Sequence, residues 1–370
     1  MRIAVIANTT WYLFNFRVPL IKALANLGHQ VIAIGPDDGY VNKFDGLPVR
    51  HRVFPVVGAS INPLRELKTM IALRRVLYDE HVDVVFSFTP KANIYSLVIS
   101  PRGVAAFPNV SGLGRVFIKK SLLTGIVKFL YRLSFRRARK IFFQNKDDLS
   151  LFVDLGIASM AQVERIPGSG VETARFVEGA SSYVETSARG GFVFLLVARL
   201  LWDKGVGEYV EAARKVKIKF PDVQFHLLGF LDVQNPSAVS RNDVTKWEKE
   251  GLIRYLGSTD DVLPYLQSAQ CVVLPSYREG CPRVLLEAAA CAQPVITTDV
   301  PGCRDVVEDG VTGYLCKVKD ADDLSEKMLD MLSLDQSVRK IMGRKGREKM
   351  LREFDESVVI HRYLDVLKEL

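Results

Sequence analysis

The chain reads as an α/β protein of two similar halves, each built on a parallel sheet, with a ligand cleft between them. Three observations lead there. Short apolar runs alternate with longer amphipathic ones along all 370 residues, the pattern of βαβ units. The series restarts once, at Phe192, after a polar, glycine-ended stretch over Ser181–Gly191. A chain of this length is also too long for one ordinary domain and comfortable for two.

The elements follow in order. Continuous apolar runs predict strands at Arg2–Ala7, Gln30–Ile34, Val82–Phe86 and Lys140–Phe143, then at Phe192–Val197, Val223–Leu228, Cys271–Leu274 and Pro294–Thr297. Such runs fit parallel strands buried on both faces. Apolar positions recurring every three or four residues predict helices at Val18–Leu27, Leu64–Glu80, Val206–Phe220 and Arg283–Cys291. The turn-rich Ile166-Pro-Gly-Ser-Gly170 precedes the restart, which places the domain boundary at 182/183. Residues 1–182 form the first domain and 183–353 the second, while Phe354–Leu370 reads as an amphipathic helix packing back on the first. Parallel sheets bind ligands beyond the carboxyl ends of their strands.

Composition limits the partners. Apolar residues make up 48% and charged residues 25%, a globular balance. The five cysteines (Cys271, Cys281, Cys291, Cys303 and Cys316) are odd in number and form no Cys-x-x-Cys pair, so they read as reduced, mostly buried thiols. The start, Met-Arg-Ile-Ala-Val-Ile-Ala, runs straight into a strand rather than a signal peptide. No stretch approaches the ~20 apolar residues of a membrane span. Residues 1–182 hold 24 Lys and Arg against 13 Asp and Glu, a net of +11; residues 183–370 hold 26 against 29, a net of −3. The basic first half calls for a partner carrying negative charge: nucleic acid, an anionic membrane face or a phosphorylated substrate.

Pro275-Ser-Tyr-Arg-Glu-Gly-Cys-Pro-Arg-Val-Leu-Leu-Glu287 is the most informative stretch. A buried strand ends at Leu274, and a glycine-containing loop leads into a helix with Pro282 in its first turn. The free N–H groups of that turn make an anion site. Glu279 stands before the helix and Glu287 more than one turn inside it, one positioned for a sugar hydroxyl and the other for a ribose. An ordinary capped helix with a solvated Glu at each end has the same spacing. A second stretch, Ala198-Arg199-Leu-Leu-Trp-Asp-Lys204-Gly205, shifts the balance. Two cations on a strand-to-helix loop can clamp a diphosphate and neutralise a leaving nucleoside diphosphate without a metal, whereas surface cations at a helix start are slightly unfavourable.

Arg199-Leu-Leu-Trp-Asp-Lys204-Gly together with Glu279-(seven residues)-Glu287 resembles glycosyltransferase family 4, retaining enzymes of the two-Rossmann GT-B fold. The resemblance covers nearly the whole chain and extends to Gly168-Ser-Gly-Val-Glu and Asp309-Gly-Val-Thr-Gly-Tyr-Leu315. It implies a GT-B architecture with a donor cleft and a C-terminal helix crossing back. It implies that Arg199 and Lys204 hold the donor diphosphate, that Glu287 binds the ribose and that Glu279 contacts the donor sugar. Backbone groups of Gly280, Cys281, Pro282, Arg283 and Val284 would meet sugar and phosphate, and Gly257, Ser258 and Thr259 would lie near the nucleobase. Catalysis would need no metal and no cofactor beyond the UDP-sugar donor; Asp320-Ala-Asp322, the one Asp-x-Asp, opens a helix where acids favour the dipole.

The wording, with Phe14-Asn-Phe-Arg17-Val-Pro and Asn109-Val-Ser-Gly-Leu-Gly-Arg115, is similar to bacterial enzymes that transfer N-acetylhexosamine-type sugars onto polyprenyl-diphosphate-linked saccharides. Two departures from the family stand out. The loop after the first strand reads Asn8-Thr-Thr-Trp-Tyr-Leu-Phe-Asn15 rather than Gly-Gly, and none of His29, His51 and His81 falls in the family's first-domain histidine motif. Backbone groups of Ser111, Gly112 and Gly114, with Arg17, are the expected acceptor side.

Arg115–Lys140 holds nine basic residues and no acid. Lys119, Lys120, Lys128, Arg132 and Arg136 alternate with Phe117, Ile126, Phe129 and Leu133, the pattern of an interfacial membrane helix. This predicts a cytoplasmic enzyme, peripheral on the inner face of the plasma membrane, with UDP-sugar, a lipid-linked saccharide and anionic lipid as partners and without nucleic acid. The competing readings are a nucleotide-sugar epimerase of the same fold and a basic nucleic-acid-binding protein, the latter without a nucleic-acid motif. Gly168-Ser-Gly170 lacks the third glycine of a dinucleotide fingerprint, which counts against an NAD enzyme.

Overall fold

The computed structural model describes residues 1–56, 62–113, 122–179, 191–231 and 235–370. The chain divides into two compact units, Met1–Ser169 with Glu356–Leu370, and Gly170–Asp355.

Unit 1 runs β1 (Arg2–Ile6), α1 (Thr10–Asn26), β2 (Gln30–Gly35), β3 (Arg50–Val53), α2 (Pro63–Asp79), β4 (Val84–Phe88), α3 (Pro90–Ile99), β5 (Ala105–Val110), α4 (Leu122–Phe135), β6 (Ile141–Phe143), α5 (Lys146–Asp154) and β7 (Val163–Arg165). Its sheet is parallel in the order β3-β2-β1-β4-β5-β6-β7, with Ile3 opposite both Val31 and Val84. Unit 2 runs β8 (Val193–Val197), α6 (Val206–Lys219), β9 (Gln224–Leu228), α7 (Arg241–Lys249), β10 (Arg254–Tyr255), α8 (Leu263–Ser268), β11 (Cys271–Leu274), α9 (Arg283–Ala290), β12 (Val295–Thr298), β13 (Gly313–Cys316), α10 (Ala321–Ser333) and α11 (Gln336–Lys349). Its sheet, also parallel, has the order β10-β9-β8-β11-β12-β13. The last helix, α12 (Glu356–Lys368), returns to unit 1.

Each sheet is buried on both faces. In unit 1, Leu20, Ile21 and Leu24 of α1 with Val359, Tyr363 and Val366 of α12 cover one face. Leu73 and Leu77 of α2, Ala92 and Leu97 of α3, Tyr131 and Phe135 of α4 and Phe152 of α5 cover the other. Strand order reverses between β1 and β4 in unit 1 and between β8 and β11 in unit 2, and loops leaving the carboxyl ends of those strands are where such sheets bind ligands.

Three expectations need correction. The first helix begins at Thr10, not Val18. Thr9 caps it, its Oγ1 accepting from the Tyr12 N–H at 3.2 Å, and the buried stripe Leu13, Arg17, Leu20, Ile21 and Leu24 includes a charged residue that broke the apolar pattern. The division between units falls at Ser169/Gly170 rather than 182/183. Val171 N–H donates to Phe354 O (2.9 Å), and Arg347 donates to Phe176 O at 2.6 Å and Thr173 O at 3.2 Å, tying 170–179 into unit 2. Unit 2 also keeps Phe354 and Asp355, so the returning segment starts at Glu356 rather than Phe354.

Candidate functional site

In unit 2 the carboxyl ends of the strands carry loops pinned by glycines. Gly205 has φ +73°, and a Cβ there would lie 2.1 Å from Pro275 O. Gly229 faces Ala198 O in the same way, at 1.7 Å from a Cβ. The first approach brings the loop after β8 against the loop after β11, and the second brings it against the loop after β9. Tyr277 N–H donates to Asp203 O at 3.0 Å, and the Ser276 hydroxyl donates to the same oxygen at 3.2 Å.

That zipper sets Lys204 on Glu279. The ammonium donates to Glu279 Oε1, with both side chains largely enclosed. Arg199, on the same loop as Lys204, is exposed and pairs with no carboxylate among the described residues. Tyr277 braces the arrangement: its hydroxyl donates to Glu208 at 2.6 Å, and the Lys319 ammonium stands 4.8 Å from its ring centroid. Burial, aided by Glu208, raises the Tyr277 phenol well above its ordinary range.

The start of α9 differs in two details from the sequence expectation. Pro282 is the N-cap residue, not a first-turn residue, and having no N–H it cannot join the backbone donors; Arg283 and Val284 supply the first-turn amides. Arg283 also acts through its side chain, Nε donating to Glu287 Oε1 at 2.8 Å. Glu287 is buried. Burial pushes its carboxyl above the usual carboxylate range, with Arg283 and the more distant Arg175 working against that rise.

Gly257 takes φ +77° and its carbonyl accepts from Gly229 N–H at 2.8 Å. Ser258 is exposed. Thr259 Oγ1 accepts from Asp261 N–H at 3.1 Å, and Asp261 pairs with Arg175 at 2.9 Å. The structure thus gathers Arg199, Lys204, Glu279, Gly280, the α9 start, Glu287 and Gly257–Thr259 along one edge of unit 2.

Sequence reasoning missed two parts. Glu279 N–H donates to Pro301 O at 3.2 Å, and at Gly302 (φ +82°) a Cβ would lie 2.5 Å from Gly280 O; a Pro-Gly just after a strand was the available signal. Arg175 had none, because its role comes from tertiary placement. Asp320 is a helix cap, its side chain accepting from Asp323 N–H at 2.9 Å, while Asp322 pairs with Lys215. Four of the five free cysteines are buried and Cys281 is partly exposed. Burial pushes the Cys291, Cys303 and Cys316 thiols up to about 12.

In unit 1 the loops at the β1/β4 reversal are cross-braced. Asn8 N–H donates to Thr89 Oγ1 at 3.2 Å, and Ala92 N–H donates to Asn8 Oδ1 at 3.1 Å. Thr89 holds φ +76°, strained for a β-branched residue. Arg17, expected on the acceptor side, is 1% exposed because it lies on the buried stripe of α1. Its guanidinium stacks 4.0 Å from the Phe88 ring centroid and donates to Tyr12 Oη at 2.6 Å. Ser111 and Gly112 follow β5, where Asn109 Nδ2 donates to Tyr363 Oη at 2.6 Å. Gly114, Lys119 and Lys120 lie outside the described residues.

Lys128 on α4 is partly exposed, and Arg136, just beyond its end, is exposed. Arg132 donates to the carbonyls of Leu155 and Gly156, capping α5. Among the described residues, no helix is long and apolar enough to cross a membrane.

With this geometry in place, comparison with known proteins decides the family. Residues 183–349 match the model "Glycosyl transferases group 1" and residues 18–168 the model "Glycosyl transferase 4-like domain". The chain is 31% identical to the Campylobacter jejuni N,N'-diacetylbacillosaminyl-diphospho-undecaprenol alpha-1,3-N-acetylgalactosaminyltransferase, over 98% of this chain and 97% of that one. It belongs to the glycosyltransferases.

The Escherichia coli UDP-Gal:alpha-D-GlcNAc-diphosphoundecaprenol alpha-1,3-galactosyltransferase is 25% identical over 94% of this glycosyltransferase and 90% of its own length. Among solved structures, Anabaena HepE in complex with UDP and glucose superposes with a TM-score of 0.83 at 16% identity, covering 100% of both chains. A Rickettsia africae glycosyltransferase does so with a TM-score of 0.82 at 17% identity, covering 100% of this chain and 98% of that one. The fold is GT-B. Family membership decides for sugar transfer over the epimerase and nucleic-acid-binding readings.

Proposed function

We propose that this glycosyltransferase is a family 4 enzyme. It moves an N-acetylhexosamine-type sugar from a UDP-sugar to a polyprenyl-diphosphate-linked saccharide at the inner membrane face, with retention of anomeric configuration and without a metal. The observation that carries the donor assignment is the seating of Lys204 on Glu279 just before the α9 start, with Arg199 on the same loop as Lys204. The two relatives named for undecaprenol-diphosphate acceptors support the acceptor class.

In this reading Arg199 and Lys204 bind the diphosphate, and the amides of Arg283 and Val284 add the helix dipole. Lys204 is held by Glu279 before the donor arrives. Diphosphate takes over the ammonium, and the released Glu279 carboxylate accepts from a sugar hydroxyl. Glu287, oriented by Arg283, accepts from the ribose. The anomeric C–O bond to phosphate then breaks while the bond to the acceptor oxygen forms on the same face. The acceptor proton passes to the departing phosphate oxygen, so no protein base is required. Arg199 and Lys204 neutralise the charge that grows on the leaving UDP.

The test is transfer from UDP-sugars to a short-chain polyprenyl-diphosphate saccharide by Arg199→Ala, Lys204→Ala and Glu287→Ala. Each is expected to lose roughly 10²–10⁴-fold in rate while keeping its fold. Wild-type turnover in all three rules the site out. Product of inverted anomeric configuration, or activity abolished by a chelator, overturns the stereochemical or metal-free part.

A further inference from the structure

Helix α2 has two apolar faces. Thr69, Leu73 and Leu77 are buried, with Met70 and Val76 packed against the unit 1 core. On the opposite side Leu64, Leu67, Ile71 and Tyr78 recur at helical spacing and stand in solvent, from 45% exposed at Ile71 to 73% at Leu64. A solvated helix normally buries one apolar stripe and turns polar residues outward. Here the outer stripe is flanked by Arg65, Lys68, Arg74 and Arg75, all exposed. Of the two acids on α2, Asp79 alone is exposed; Glu66 is turned to α3, where it binds Lys91 at 2.9 Å and the Tyr95 hydroxyl.

The same pattern occurs on α4. Tyr131, Ser134 and Phe135 are buried, while Ile126, Phe129, Leu130 and Leu133 are exposed, Phe129 by 64%, beside Lys128 and Arg136. Helix α3 packs between α2 and α4 on one face of the sheet, and it is itself buried from Ala92 to Leu97. Neighbouring helix axes lie about 8–10 Å apart, so the outer stripes of α2 and α4 face away from the sheet roughly 20 Å from each other.

We propose that the outer face of α2 is a second membrane-contact element of unit 1, and that α2 and α4 dock together on an anionic lipid surface. The inference rests on reading this glycosyltransferase as a peripheral enzyme with a lipid-linked acceptor. Charge decides the occupant. Four cations against one exposed acid, interleaved with aliphatic side chains and a tyrosine, complement a negative bilayer whose interface accepts the apolar stripe. Two such helices set the plane of unit 1 on the membrane, which one helix alone does not fix.

The experiment is flotation of the full chain with vesicles of phosphatidylcholine alone or mixed with phosphatidylglycerol. Three proteins are compared: wild type, Leu64→Ser/Leu67→Ser/Ile71→Ser, and Phe129→Ser/Leu133→Ser. Transfer to a short-chain, water-soluble acceptor is measured alongside, with light scattering for oligomeric state. Wild type is expected on the anionic vesicles, with each variant bound at least about tenfold more weakly and soluble-acceptor transfer and melting temperature unchanged. If the α4 variant loses binding and the α2 variant keeps it, the α2 proposal fails and the membrane reading stands. If wild type transfers sugar but floats with neither vesicle, both fail. A wild-type dimer that the α2 variant dissolves, with vesicle binding intact, assigns the face to a second copy and overturns the proposal.

Discussion

The carboxyl edges of the two sheets solve the same problem with different chemistry. In unit 2 the cations Lys204 and Arg283 each hold a carboxylate, Glu279 and Glu287, the first pair on loops locked by Gly205 and Gly302 and the second within α9. In unit 1 the buried cation is Arg17, and its neighbours are rings and neutral groups: Phe88, Tyr12, and the Tyr363 hydroxyl that Asn109 binds. A charge-paired edge can exchange partners when an anionic ligand arrives. An aromatic and amide edge gives a fixed shape and little charge to exchange. In the proposed function, the contrast suits a donor that brings a diphosphate to unit 2 and an acceptor that presents a hydroxyl to unit 1.

The sharpest break in that contrast is Glu279→Gln. It leaves Lys204 without a carboxylate, so UDP is expected to bind several-fold tighter while transfer falls about 10²–10³-fold. Calorimetry with UDP and initial rates measure the two effects, and weaker UDP binding refutes the partner exchange. Next in size is Arg17→Met, which keeps the bulk and removes the buried charge. Because a buried ion without a carboxylate contributes little net stability, the variant should melt at or above the wild-type temperature. Its kcat/KM for acceptor should fall about tenfold with KM for UDP-sugar unchanged. A raised donor KM instead would couple Arg17 to the other unit and blur the comparison.

The smallest effect concerns Glu287. Burial raises its carboxyl, so the folded chain holds that proton more tightly than the unfolded one. The stability this contributes is present below the ordinary carboxylate range and is lost as pH rises through the raised value. Glu287→Gln, always neutral, should therefore match wild type at acid pH and gain a few degrees in Tm near neutrality, at the expense of UDP-sugar binding. A Tm difference that shrinks as pH rises contradicts the assignment.

Strands buried on both faces were legible in sequence almost to the residue, as at Cys271–Leu274. Those missed have physical reasons. β3 is Arg-His-Arg-Val at the sheet edge and lacks an apolar run. β5 carries Pro108 in mid-sheet, where a proline normally argues against a strand. β7 and β10 are three and two residues long, and β13 is a four-residue edge strand that opens on Gly313. The proposed donor site could be framed from sequence because its chemistry is local: Arg199 with Lys204, and Glu279 with Glu287, each share one loop or one loop-to-helix segment. The Arg283 side-chain bond, the Pro301-Gly302 contact and the Arg175–Asp261 pair arise from packing between segments distant in sequence or from rotamers. Arg17 shows the limit most clearly, since a charge on a helix reads as surface until the aromatic walls around it are known.

The way α12 completes unit 1 sets an order of assembly. Unit 2 is one continuous segment, Gly170–Asp355, whereas unit 1 needs Glu356–Leu370; Val359, Tyr363 and Val366 finish its core. During synthesis, unit 2 can therefore close as soon as its own segment has emerged. Residues 1–169 wait with one face of their sheet partly uncovered and with Asn109 lacking the Tyr363 hydroxyl. A released chain truncated after Asp355 would carry all of unit 2 beside an unfinished unit 1. The uncovered face of the waiting sheet, which Val359, Tyr363 and Val366 later close, is where a chaperone has most to protect.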